Sequence, residues 1–154
     1  MRYLKKELLL YDDNSNESQE YHEKLWCEQC EKLDDAQKKI KHKLPKKLWE
    51  ILKDTAFHDA IIESINIARR VKHYKAVFDI TLTLRSCDGK ATYELLYKDV
   101  SSFKTDFHLE NLPMHFDYLY GEFLYEDKNY IHNFLAFDYC ETNIVCNKIE
   151  IKEL

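Results

Sequence analysis

The sequence predicts an α+β fold, with N-terminal helices packed on one face of a mostly antiparallel sheet of about six strands. Two observations carry this. Apolar residues recur at helical spacing through residues 1–57 and at alternate positions through residues 58–154. The chain also holds only two Gly and two Pro, which favours long regular elements and leaves few places for glycine-rich phosphate loops. A length of 154 residues is expected to form one domain, 1–154, mainly helical over 1–57 and mainly antiparallel β over 58–154.

Residues 1–12 fit either a short strand or a first helical turn. Asp12-Asp13-Asn14-Ser15-Asn16 is a polar break. Asn14 with Glu17, or Asn16 with Gln19, has the capping-box spacing that opens a helix. Tyr21, Leu25, Trp26, Leu33, Ala36, Ile40 and Leu44 then fall in one stripe at helical pitch, predicting a long helix that reaches Leu44. Pro45 cannot continue it but can start the next helix, over Lys46–Asp54, with Leu48, Ile51 and Leu52 inward. Phe57-His58-Asp59-Ala60 is the handover to strands.

Ala60–Arg70 reads as the first strand. In the second, Ala76, Phe78, Ile80, Leu82 and Leu84 share one face. Asp88-Gly89 has the composition of a two-residue hairpin turn, leading to a returning strand over Thr92–Val100. Residues 101–114 read as a connection. Strands over His115–Tyr125, Tyr130–Tyr139 and Asn143–Ile151 then extend an antiparallel meander.

The formal net charge of −5 argues against nucleic acid as a partner. The charge is concentrated: residues 105–154 carry a net −7 together with ten of the nineteen Tyr and Phe. Early charges in Met1–Glu7, and an apolar run of only Leu8-Leu9-Leu10, argue against a secretory leader or a membrane span. Five Cys, an odd number, fit free thiols in a reducing cytoplasm.

Several constellations invite a chemical reading. Cys27-Glu28-Gln29-Cys30 has redox-motif spacing, but it lies inside a predicted helix with no strand before it, so no dipole activates the first thiol. Cys140 and Cys146 lack the spacing of a zinc knuckle, and no metal or cofactor is expected. Lys38, Lys39, Lys41, Lys43, Lys46 and Lys47 form a basic run that suits a phosphate or, more simply, a solvated helix end. The His58-Asp59 pair is reminiscent of metal-dependent phosphohydrolases, yet it leads into a strand and lacks the further ligands. The simpler expectation is that Asp59 bonds backbone at the junction while His58 packs beside Phe57. No nucleophile elbow, phosphate loop or His-Glu-x-x-His occurs.

Leu44-Pro45-Lys46, Phe57-His58-Asp59-Ala60, Tyr120-Gly121-Glu122-Phe123 and Ile131-His132-Asn133-Phe134-Leu135, after an opening Met1-Arg2-Tyr3-Leu4, resemble a bacterial family of uncharacterised proteins. Related His-Asp-containing β-rich domains are similar to immunity proteins of polymorphic toxin systems, which bind and block a cognate toxin. The resemblance covers nearly the whole chain and implies the α+β fold. It brings no established activity.

The expectation for function is a non-catalytic cytoplasmic protein-binding module, immunity-like in character. Its partner is expected to be basic, because carboxylates alternate with aromatics in the last third. Candidate contact residues are Tyr118, Tyr120, Glu122, Tyr125, Glu126 and Asp127. The alternative is an enzyme, or a small-ligand or metal-binding protein, with His58, Asp59, Glu122 and His132 converging in one pocket.

Overall fold

The change of period marks the change of architecture. The computed structural model describes residues 1–8, 16–53, 57–106, 117–136 and 139–154. A 3-10 turn at Lys6–Leu8 comes first, then helix α1 (Asn16–Ile40) and helix α2 (Lys46–Lys53). Six strands follow: β1 (Ala60–Lys72), β2 (Lys75–Arg85), β3 (Thr92–Thr105), β4 (Asp117–Glu126), β5 (Asn129–Ala136) and β6 (Cys140–Glu153). The fold is α+β with an antiparallel sheet. The expected break before Asn16 and the expected strand start at His115 lie outside the described residues.

Local chemistry explains where the elements end. Helix α1 stops at Ile40 instead of Leu44, because the amides of Lys43 and Leu44 both turn back to the Ile40 carbonyl, at 2.8 and 3.3 Å. Strand β3 runs on through residues 101–105, where a connection was expected. A bulge at Asp99, with φ 52°, breaks the alternation that would have revealed it. Asp88-Gly89 is not a two-residue turn either. The loop is longer, closed by Ser86 N–H on the Ala91 carbonyl at 2.8 Å, and only Gly89 has positive φ. The true two-residue turns are His73-Tyr74 and Asp127-Lys128, both with positive φ at both positions.

The strands form two meanders, β1-β2-β3 and β4-β5-β6, not one. Strands β3 and β6 pair along their length, and the sheet closes into a barrel where Ala60 and Ile61 of β1 meet Tyr118 and Asp117 of β4. Ile80, Leu82, Leu84, Leu95, Tyr97, Phe123, Phe134 and Ile144 are fully or almost fully buried in the core. Complete burial of such a side chain contributes about 1.5–3 kcal/mol. Leu48, Trp49 and Ile51 of α2 belong to the same apolar cluster. Phe57, at the handover, meets Tyr93 and Tyr118 edge-on at 5.6 and 6.0 Å. Helix α1 lies against β4, with Trp26 edge-on to Tyr120 at 4.9 Å.

Candidate functional site

The His58-Asp59 pair sits on the corner between α2 and β1. Ala60 N–H closes the corner on the Phe57 carbonyl at 3.1 Å, and Asp59 takes a left-handed backbone with φ 57°. Its carboxylate lies 2.9 Å from His58 Nδ1, and both side chains are about half exposed, at 57% and 45%. The Asp is thus at the junction for its tolerance of positive φ, and its side chain orients the imidazole instead of capping backbone. His58 meets Tyr120 edge-on at 4.8 Å. Beside it runs a groove of about 280 Å³ between α1 and β4, walled by Leu33, Leu52 and Phe57 and rimmed by Asp34, Gln37 and His58.

Neither Glu122 nor His132 lines that groove. The Asp127-Lys128 turn sets a register in which Glu122 opposes Asn133 and Phe123 opposes His132, so the two polar residues face opposite sides of the sheet. Glu122 is fully buried and accepts hydrogen bonds from the backbone amides of Arg2 and Tyr3, at 2.5 and 3.1 Å. It pins the N-terminal segment to the barrel. The four residues expected to converge in a pocket therefore do not: His58 and Asp59 stand on the corner, Glu122 under the N-terminal segment and His132 in the core.

His132 is held inside the barrel between two phenols. Tyr97 Oη is 2.6 Å from Nδ1, and Tyr118 Oη is 2.9 Å from Nε2. Phe123 stacks on the ring with centroids 3.9 Å apart. Burial pushes the imidazole down to about 3 and both phenols above their ordinary range. A neutral ring has one donor and one acceptor nitrogen, so one phenol donates to it and the other accepts from it. All three side chains are satisfied and sealed from water, which makes this a structural network.

The residues expected to form a partner face are spread over several environments. Tyr118 and Glu122 are buried. Tyr120 is covered by Trp26 and His58. Tyr125 packs edge-on to Tyr130 at 4.9 Å, with the Lys43 ammonium 5.5 Å from its ring. Glu126 pairs with Arg2, which holds its carboxyl below the usual range. Asp127 is exposed on the turn. Strand polarity was legible, but which face each aromatic takes depends on the register slip between Tyr118 and Tyr120.

The two strands expected over Ala60–Arg70 and around Ala76–Leu84 pair as the β1–β2 hairpin, whose exposed apolar face was not expected. Its apolar face continues beyond the barrel, leaving Ile67 (56%), Val71 (65%) and Phe78 (44%) exposed, with Tyr74 wholly exposed at the tip. The other face is tied to β3. Arg70 Nε reaches Asp79 at 2.6 Å, Lys72 reaches Asp99 at 2.6 Å, and Asp79 also accepts the Asp99 amide at 2.9 Å. Arg70 and Lys72 hold the two carboxyls below their usual range. Arg69 and Lys75 make no ion pair among the described residues. The signal available in the sequence was His73-Tyr74, a turn with neither Gly nor Asn between strands whose apolar alternation is interrupted only at Arg69 on its way to the turn.

None of the five cysteines forms a disulfide, and burial raises the Cys30 thiol above its ordinary value, the reverse of what redox activation needs. Among the described residues no group of three or more His, Cys, Asp or Glu is placed to hold a metal ion. No described helix is long and apolar enough to cross a membrane. No protein-family model matches this chain, and no curated protein is similar to it.

Proposed function

We propose that this chain is a non-catalytic binding module for another protein, in the manner of an immunity protein, and that the β1–β2 hairpin is its contact arm. One observation carries the reading: Ile67, Val71, Tyr74 and Phe78 are exposed on an arm whose other face is held by the Arg70–Asp79–Asp99–Lys72 network. Such side chains in water favour a partner that covers them, and a pre-stiffened arm loses little freedom on docking. Arg69, which lies opposite Phe78, and Lys75, beside the turn, flank the apolar residues without an ion pair among the described residues, so the matching surface is acidic. A basic partner, as expected from composition, would meet Asp127 and Glu126 instead.

Affinity purification from the native host with wild-type protein and with the Val71→Asp/Tyr74→Ala variant tests this. One acidic protein retained at equal stoichiometry by the wild type and lost from the folded variant supports the reading. Equal retention by both, or no stoichiometric species, overturns it.

The groove beside His58 favours a second reading, a site for a small ligand with an apolar body and one group that bonds the imidazole. Protection of His58 from diethyl pyrocarbonate by such a ligand would support it. A His58→Ala variant that retains full ligand binding would exclude it.

A further inference from the structure

The closed ring leaves one long edge open. Strand β1 pairs with β2 as far as Lys72, but it meets β4 only at Ala60 and Ile61. From Ile62 to Lys72 its other edge has no strand beside it among the described residues. Asn66, Ile67, Ala68 and Arg69 are consecutive and all exposed, as on a strand with both faces uncovered. The His73-Tyr74 turn fixes which backbone groups that edge presents. Lys72 and Lys75 close a two-residue hairpin and form its last hydrogen-bonded pair, and the bonding direction alternates back along β1. The amides and carbonyls of Ile67, Arg69 and Val71 therefore point away from β2, to the open edge. The side chains of the same three residues share one face, opposite Ile80, Phe78 and Ala76. Open backbone and exposed side chains thus fall in one register. On the other face Arg70 and Lys72 are bound to Asp79 and Asp99, which holds the edge extended.

We propose that this edge takes up an extended segment of the partner as an added antiparallel strand, with a carboxylate between two apolar residues at alternate positions. The proposal rests on the hairpin being the contact arm, and it names what the arm recognises. The two apolar residues of the segment face Ile67 and Val71, and its carboxylate faces Arg69, whose guanidinium makes no ion pair among the described residues. A cation in the middle of an exposed apolar strand face opposes pairing with an apolar strand and admits one that brings the opposite charge. Main-chain bonds to the three open residues supply affinity, and the alternating side chains supply choice. A second copy of this chain fits poorly. In the antiparallel register that sets Ile67 of one copy on Val71 of the other, Arg69 of one meets Arg69 of the other.

The synthetic peptide acetyl-Thr-Val-Thr-Glu-Thr-Val-Thr-amide, titrated into the full chain up to the millimolar range and read by backbone amide resonances, tests the proposal. The expected result is saturable binding that shifts the amides of Ile67, Arg69 and Val71 more than those of Arg70 and Lys72. Replacing the peptide's Glu by Lys should weaken binding about fivefold or more, because attraction at the facing pair becomes repulsion. Arg69→Glu, with circular dichroism unchanged, should reverse the preference, so that the Lys peptide binds better than the Glu peptide. No saturable shift at β1, shifts that spare the three edge amides, or a preference that Arg69→Glu does not reverse overturns strand addition. So does a dimer in sedimentation that Ile67→Asp dissociates, which would put a second copy on the edge. The contact arm is judged separately. If the peptide fails but Val71→Asp/Tyr74→Ala still releases an acidic host protein, the arm stands and binds a folded surface without strand addition.

Discussion

The Tyr118 phenol and the His132 imidazole meet at 2.9 Å inside the barrel, in space that exists because residue 121 has no side chain. A Cβ on Gly121 would overlap the Tyr118 ring and its hydroxyl and come within 3.2 Å of His132 Nε2. Gly121→Ala must therefore displace a buried, hydrogen-bonded ring. Overpacking of this kind costs about 1–3 kcal/mol. Urea unfolding should show a lower midpoint with unchanged slope, and Tyr118→Phe should not restore it.

His132 also gives stability a pH dependence with a definite sign. Its folded value, near 3, lies below the ordinary 6.5 because burial opposes the charged ring. The contribution is complete above pH 6.5. It is lost as pH falls toward 3, because the unfolded chain takes up the proton first. The slope is about 1.4 kcal/mol per pH unit. In His132→Phe that slope disappears, so the stability gap between the two proteins should change with pH only below 6.5. Paired denaturation curves from pH 4 to 8 measure it, and a gap constant over the whole range would contradict the buried, neutral assignment.

Glu122 should behave as an anchor and not as an acid. Its carboxylate holds the amides of Arg2 and Tyr3, so Glu122→Ala leaves two amide donors facing an apolar hole and should cost about 2–3 kcal/mol. Hydrogen exchange localises the effect: the Arg2 and Tyr3 amides should lose protection while those of β3 keep theirs.

The corner makes the opposite prediction about chemistry. Asp59 is needed for its left-handed backbone, so Asp59→Gly should be neutral or stabilising and Asp59→Ala should cost about 1–2 kcal/mol. His58→Ala should change stability by no more than about 0.5 kcal/mol, as expected for a half-exposed surface position. Thermal melts of the three variants separate this from the backbone-bonding role, under which Gly and Ala would be equally damaging.

His73 and Tyr74 occupy two turn positions that favour Asn and Gly, and both have positive φ. Replacing the pair by Asn-Gly should raise stability by about 1 kcal/mol. If Tyr74 contacts a partner, the same replacement should weaken partner binding. A more stable protein with undiminished binding would show that the turn residues serve neither purpose.

Local signals made much of this legible. The Leu44-Pro45-Lys46 break, the period change at Phe57–Ala60 and the inward set Ile80, Leu82 and Leu84 follow from residue chemistry within a few positions, and all three are present. Ring closure is different. That Ala60 pairs with Tyr118 is a relation between distant segments, and no spacing encodes it. The expected convergence of Glu122 with His132 failed on parity, which the Glu126–Asn129 turn already contains once it is read as a two-residue hairpin. The fate of Tyr120 was harder to see, because a single slip at Leu119 decides whether it faces the core or Trp26.

Among the described residues, closure of the ring is carried by two residue pairs, whereas β3 and β6 are joined from Tyr93 to Thr105. The barrel therefore has a seam. Each three-stranded half contains only neighbour-to-neighbour hairpins and can collapse early, while the β3–β6 zipper must wait for an encounter between segments far apart in the chain. The Ala60–Tyr118 junction is expected to open before the β3–β6 pairing does. Amides of Ala60 and Ile61 should exchange by sub-global opening while those of β3 exchange only when the whole molecule unfolds.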